Sequence, residues 1–461
     1  MMGGCKSKPQ TMGYDANQPL ALSLWTYYSG KQLDRFNDLV QSFNEGPGKK
    51  QGIRVEAFSP GSMQDLQRTL ISAVEKEAGA PKVPHMFLAY ADIAKTMDTM
   101  GIVADLSSFL TEEEKQSYIA GYLQEGAISK PGELKVFPIA KATEVMVVNM
   151  TDWNKFAQAT GSQISDFSTI EGLVDVARRY YEWTDSLTET PDDGKAFFGR
   201  DALANYFLIG AKQLGMEIVS QKPDGSLMLR FDEDIVRKLW DSYYIPYLNG
   251  YFSSMGHFRS DDMKTGNVIA FVGSSSGVSF APRSVSLEDS TCYPITTRVF
   301  PAPGFKDGIP VAVQQGAGVV VTQSSAQEIQ ASVAFLKWFT QPEQNTRFAL
   351  SVGYMPVKKS AMEHLKNLDV PVQAIILETL QISMESALTH EMYTPKPVKN
   401  GTKIRRILEE SLSGQAIKDR AQVLELMQSG LSRKEAVARF ATNDHFHAWY
   451  AQILKELEAL S

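Results

Sequence analysis

Three consecutive serines, Ser274-Ser275-Ser276, close the apolar run Val268-Ile269-Ala270-Phe271-Val272 and sit between Gly273 and Gly277. A strand ending in small hydroxyl residues and glycine exposes backbone N–H groups at the next element, and such donors suit a phosphate or another anion. The two glycines let a backbone come close to a ligand. The same residues also make an ordinary serine N-cap turn. Arg405, in Ile404-Arg405-Arg406-Ile407-Leu408-Glu409-Glu410, carries a planar fork of donors able to hold phosphate or carboxylate through two hydrogen bonds. Glu409, four residues on, offers it a common helical ion pair instead. Tyr354, in Gly353-Tyr354-Met355-Pro356, can donate its hydroxyl to an anion or lay its ring on a sugar face, whereas Gly353 and Pro356 by themselves account for a turn.

These groups hold ligands; they do not form a reaction centre. No Gly-x-Gly-x-x-Gly and no phosphate-loop lysine motif is present. His445 and His447 lack a third ligand nearby and read as a surface pair, so no metal site is expected. Asp261 and Asp262 read as solvated loop carboxylates rather than a glycosidase pair. The expectation is a binding protein, not an enzyme, with no cofactor.

The elements that must position these residues are legible in the periodicity. Leu20–Trp25 is a strand expectation followed by the loop Tyr27-Tyr28-Ser29-Gly30, and Gln32–Glu45 a helix with Leu33, Phe36, Leu39, Val40 and Phe43 on one face, stopped by Gly46-Pro47-Gly48. Ile53–Phe58 alternates as a strand, Met63–Glu77 reads as a helix, His85–Tyr90 as a strand and Asp92–Met100 as a helix. Alternation of this kind predicts an open parallel α/β sheet whose ligands meet the carboxyl ends of the strands. That places Trp25–Gly30, Ser59–Met63 and Tyr90–Asp92 around one crevice. Trp25 is expected in the core and Tyr28 exposed to ligand; Asp92 either accepts from ligand hydroxyls or caps its helix. Further strands are expected at Val145–Met150, Val268–Val272 and within Val311–Thr322, with helices at Ile170–Trp183, Ile235–Tyr247 and Ala331–Phe339. From Thr402 onward the pattern is helical, punctuated by Gly414 and Gly430.

A chain of 461 residues exceeds one ordinary core, which predicts two lobes. Its 46 Lys and Arg against 53 Asp and Glu give a net charge of −7 without a basic stripe, which excludes a nucleic-acid footprint. No apolar run reaches the roughly 20 residues of a membrane span. Of two cysteines, Cys292 has no evident partner, and Cys5 follows Gly3-Gly4 in a polar leader that resembles a bacterial lipoprotein cleavage site. The expectation is a lipid on Cys5, with the apolar signal segment upstream of Met1 or already removed.

Two stretches resemble the extracellular solute-binding proteins of carbohydrate-type ABC importers: LSLWTYYSGKQLDRFNDLVQSFNE from Leu22, and FLKWFTQPEQNTRFALSVGYMPVKKSA from Phe335 to Ala361. Within that family the likeness is greatest to the glycerol-3-phosphate-binding proteins. The resemblance implies a two-lobed α/β periplasmic-binding fold, each lobe a mainly parallel sheet flanked by helices, joined by three hinge crossings near Pro138–Thr143, Val299–Gly304 and Gly353–Val357. Residues 1–18 are then a leader, 19–138 with 303–352 the first lobe, and 143–299 with 357–461 the second. The family's phosphate contacts fall on Ser274, Ser275, Gly316 (in Gln315-Gly316-Ala317-Gly318), Tyr354 and Arg405. Its other ligand contacts depart. A tyrosine falls at Met63, a glutamate at Ala91 beside Asp92, a serine at Ala142, and a tryptophan pair is lost near Tyr206. The weaker candidates are therefore Tyr28, Met63, Tyr90, Asp92 and Tyr206. What the resemblance implies is an extracytoplasmic, lipid-tethered, monomeric receptor that closes on an anionic polyol such as a glycerophosphodiester or sugar phosphate. It then docks on the transmembrane permease subunits. A neutral sugar receptor is the alternative, ahead of a cleft hydrolase or a non-transport surface lipoprotein.

Overall fold

The computed structural model describes residues 18–222, 227–287, 291–366, 373–398 and 400–460. Cys5 and its leader lie outside the described residues. The chain divides into two compact units, one of residues up to Ala140 with Ala317–Val352 and Pro356–Ala361, the other of Lys141–Gly316, Gly353–Met355 and Met362 onward. Residues 303–316, expected with the first lobe, group with the second unit, and 357–361, expected with the second lobe, group with the first. For 303–316 the physical reason is that Val311–Val313 pairs in parallel with Glu391–Tyr393, which ties the segment to second-unit structure before the chain leaves at Gly316.

In the first unit Leu20–Trp25 is flanked by Ile53–Phe58 and Met86–Ala89, both parallel to it, and Gly318–Val321 adds antiparallel to the far side of Met86–Ala89. Every residue of the two short strands is buried, as expected of sheet covered on both faces. The Gly30–Phe43 helix buries Phe36, Leu39, Val40 and Phe43, the predicted face. The expected stop at Gly46-Pro47-Gly48 is a kink, where Gly46 (φ −100°, ψ −108°) leaves helical geometry. A π-type turn spans Asn44–Gly48, and the chain leaves only at Gly52, where φ is 66°. The Met63–Glu75 helix starts on a capping box, Ser62 with Asp65.

The second unit's sheet is mixed. Glu144–Asn149 runs antiparallel to both Thr297–Pro301 and Ala270–Ser274, and only Phe198–Arg200 is parallel to Ala270–Ser274. Its core carries stacked aromatics, with Trp240 3.9 Å from Tyr244 and 4.4 Å from Trp449 between ring centres. The Gly401–Gln428 helix passes through Gly414 without a break, and Gly430, at φ 102°, lies just past its end. On this helix the buried Asp419 carboxylate accepts from Tyr244 Oη (2.6 Å) and Gln415 Nε2 (2.7 Å) and lies 2.7 Å from His445 Nε2. Asp419→Ala strands the buried Tyr244 hydroxyl, so a loss of about 2–3 kcal/mol is expected. The denaturant midpoint, at unchanged slope, measures it. His447 pairs with Glu233 instead, at 2.9 Å, so the two histidines serve separate contacts.

Candidate ligand-binding site

The Ala270–Ser274 strand ends opposite the start of Glu144–Asn149, with Glu144 in register with Ser274. One residue further, Ser275 N–H donates to the Thr143 carbonyl (2.8 Å) and Thr143 N–H donates to Ser275 Oγ (3.2 Å). Ser274 and Ser276 hydroxyls lie 3.0 Å apart. The strand gives way to a 3₁₀ turn, Ser275–Phe280, rather than to a full helix. The segment spells Gly-x-Ser-x-Gly, the pattern of a nucleophile elbow. Ser275 is only 2% exposed and its hydroxyl is tied to the Thr143 backbone, which does not present an open nucleophile. Over Gly273 the space belongs to the Asp201 carboxylate, since a Cβ there would lie 2.9 Å from Asp201 Oδ2. That glycine makes room for a side chain of this protein, not for a ligand.

Backbone pairing draws the other candidates to the same place. Ala142 and Gln315 exchange two 2.9 Å hydrogen bonds, and the buried Lys141 Nζ donates to the Gly316 carbonyl at 2.7 Å. Gly316 sits at φ 103°, a conformation few other residues adopt. Lys141 also bridges Met355, and a Cβ on Gly353 (φ 75°) would come within 3.1 Å of the Ser276 carbonyl oxygen, so the Gly353-Tyr354 turn lies against the serines. Tyr354 is half-buried.

Arg405 does not pair with Glu409. Its Nη2 donates to Asn205 Oδ1, Asn205 Nδ2 donates to Glu144 Oε1 (2.8 Å), and Glu144 Oε2 accepts from Arg200 Nη2. Glu409 turns to the Leu203–Gln213 helix, where its oxygens accept from Leu203 N–H (3.0 Å) and Ala204 N–H (2.7 Å). That helix starts after Ala202, which has no side-chain cap to give, so Glu409 supplies the charge its first turn favours. Burial holds the Glu144 carboxyl above its usual range, against the pull of Arg200, Asn205 and Arg405. Glu144, Arg200, Asn205 and Lys141 were not foreseen. The available signal was an acid opening the buried apolar run Val145–Val148, which demands a cationic or donor partner.

All five principal candidates thus lie in the second unit. Tyr206 is there too but is core, its hydroxyl donating to the Leu239 carbonyl (2.8 Å), its ring 5.5 Å from the Arg200 guanidinium, and burial pushing its hydroxyl up. One edge of it borders a cavity of about 220 Å³ that Glu144, Arg200 and Gln213 also line.

In the first unit the expected tyrosine is exchanged for its neighbour. Tyr28 is 2% exposed and packs on Phe36 and Phe348, because the turn after Trp25 sends its ring inward; Tyr27 is the half-exposed one. Tyr27 lies 6.4 Å from Tyr90, which is 42% exposed, and Phe58, 55% exposed, packs edge-on against the buried Trp25. Tyr27, Phe58 and Tyr90 therefore mark the carboxyl ends of the three parallel strands with partly open rings. Met63 is half-buried in the first turn of its helix. Asp92 is exposed in the first turn of the Ala91–Thr99 helix, whose N-cap position is Tyr90.

Residues 38–373 match the family of bacterial extracellular solute-binding proteins, and the chain belongs to that family. It is a solute-binding protein that works outside the cytoplasm, and among the described residues no helix is long and apolar enough to cross a membrane. No curated protein matches the sequence. Among solved structures the chain is similar to the cyclic alpha-maltosyl-1,6-maltose binding protein of Arthrobacter globiformis, with a TM-score of 0.68 at 17% identity over 95% of this chain and 100% of that one. It is also similar to UgpB of Mycobacterium tuberculosis, solved with glycerophosphocholine (0.62, 16% identity, 95% and 99% covered). A third likeness is to the GacH receptor of Streptomyces glaucescens, solved unliganded and with acarbose (0.61, 14% identity, 94% and 98% covered). At these identities the likeness establishes the two-lobed periplasmic-binding fold.

Proposed function

We propose that this protein is the receptor of an ABC importer and captures a neutral sugar-like polyol by hinge closure, then delivers it to the permease. The observation that carries this reading is the row of partly open rings, Tyr27, Phe58 and Tyr90, at the strand ends of the first unit. Sugar rings present apolar C–H faces that stack on such surfaces. In the second unit, the Ser274 and Arg405 donors suit sugar hydroxyls. Two of the three similar structures are named for, or were solved with, oligosaccharide-type ligands.

An anionic polyol is the second reading, supported by Arg405, an exposed residue whose fork of donors can hold an anion, and by the glycerophosphocholine bound to one similar structure. Calorimetry with trehalose and trehalose 6-phosphate, extended to maltose-type sugars, separates them. Binding of a neutral sugar, with no gain from a phosphate, supports the first reading. Tenfold tighter binding of the phosphorylated partner supports the second, and no heat with any member removes both. Tyr90→Ala is expected to weaken sugar binding by about 1 kcal/mol, the scale of one aromatic contact, with no change in melting temperature. A lipid on Cys5 would hold the receptor at the membrane; mass spectrometry of the protein from membrane fractions reads the acyl mass directly.

A further inference from the structure

Two groups that could hold an anion in the second unit, Arg200 and the first turn of the Leu203–Gln213 helix, are already occupied by carboxylates of the chain itself. Glu144 takes Arg200 and the Asn205 amide that in turn fixes Arg405. Glu409 takes the first two N–H groups of the Leu203–Gln213 helix. The Glu144 and Arg200 side chains are 5% and 6% exposed, so their charges act through a medium that screens poorly. Within this network the guanidinium of Arg200 meets the buried Glu144 carboxylate directly and that of Arg405 reaches it through Asn205, while the second carboxylate sits at the helix end beside them.

We propose that Glu144 and Glu409 are specificity-determining residues: they fill the anion-holding donors from within and make the site reject anionic ligands in favour of neutral sugars. This rests on the reading that Arg405 faces the ligand. The geometry gives each acid a distinct part. Glu144 lowers the net charge around Arg405 through Asn205, without itself reaching the surface. Glu409 plugs a helix terminus whose dipole and free N–H groups would otherwise attract a phosphate. Removing either should open the site to anions while Arg405 stays in place.

The test uses the full chain and inorganic phosphate, read by calorimetry and by the shift in melting temperature, with no sugar present. Wild type is expected to show no saturable phosphate binding below concentrations on the order of 1 mM, the range in which one weak ionic contact registers. Glu144→Gln and Glu409→Ala are each expected to bind phosphate about tenfold tighter than wild type, an effect that fades with added salt. The double variant Glu144→Gln/Arg200→Gln restores the charge balance and should lose that gain. If Glu144→Gln does not fold, Glu409→Ala, whose carboxylate lies at a helix end rather than inside the buried pair, carries the test. Folded variants that bind phosphate no better than wild type overturn the proposal. A wild type that binds no sugar in the calorimetric panel instead removes the proposed transport of neutral sugars, and the phosphate readout remains independent of it.

Discussion

Replacing Arg200 by alanine is expected to lower the stability of the second unit by about 3–5 kcal/mol, because it leaves Glu144 buried without its cation. The loss also removes the guanidinium from the Tyr206 ring, 5.5 Å away. Four of the six tryptophans, Trp153, Trp183, Trp240 and Trp449, lie in this unit, so tryptophan fluorescence during denaturant unfolding reports mainly on it. The deficit should be greatest near neutral pH and shrink on acidification. Burial already holds the Glu144 carboxyl above its ordinary value, so the folded state retains its proton to higher pH than the unfolded chain. Stability from this group therefore rises as pH falls through the folded pKa toward the ordinary carboxylate range, and the mutation strengthens that trend. Replacing both partners with apolar residues should recover most of the loss. A deficit that does not depend on pH would mean that packing, not the stranded charge, dominates.

Arg405→Ala is expected to weaken ligand binding by about 1.5–3 kcal/mol, the worth of a hydrogen bond to a charged group, while the melting temperature of the unliganded protein moves little. Arg405 is an exposed residue whose bond is to the neutral Asn205 amide, so the fold does not depend on it as it depends on the buried Arg200. Arg406→Ala, one position along the same helix, is the control and should leave affinity unchanged. An Arg405→Ala protein that binds as wild type does would remove this side chain from the ligand's surroundings.

The contrast between these two arginines shows what could be read in advance. Arg405 was singled out through the family resemblance, because the stretch Ile404–Glu410 keeps the family's helical pattern around it. Arg200, which matters more for stability, sits in a three-residue strand too short for any periodic signal. Tyr27 and Tyr28 could not be ordered by their position after Trp25, since both come after the strand and only the turn's course decides which ring enters the core.

Residue pattern alone determined most of the alternating α/β elements, the serine cluster at a strand end and the resemblance to solute-binding proteins. All of these come from local periodicity or contiguous motifs. Tertiary structure decided the charge of the site. Glu144, Arg200, Asn205, Arg405 and Glu409 are scattered over more than two hundred residues, and only the pairing of Glu144 with Ser274 and the packing of two helices bring their charges together. Electrostatic balance depends on distance through space and on burial, and neither is written in sequence order.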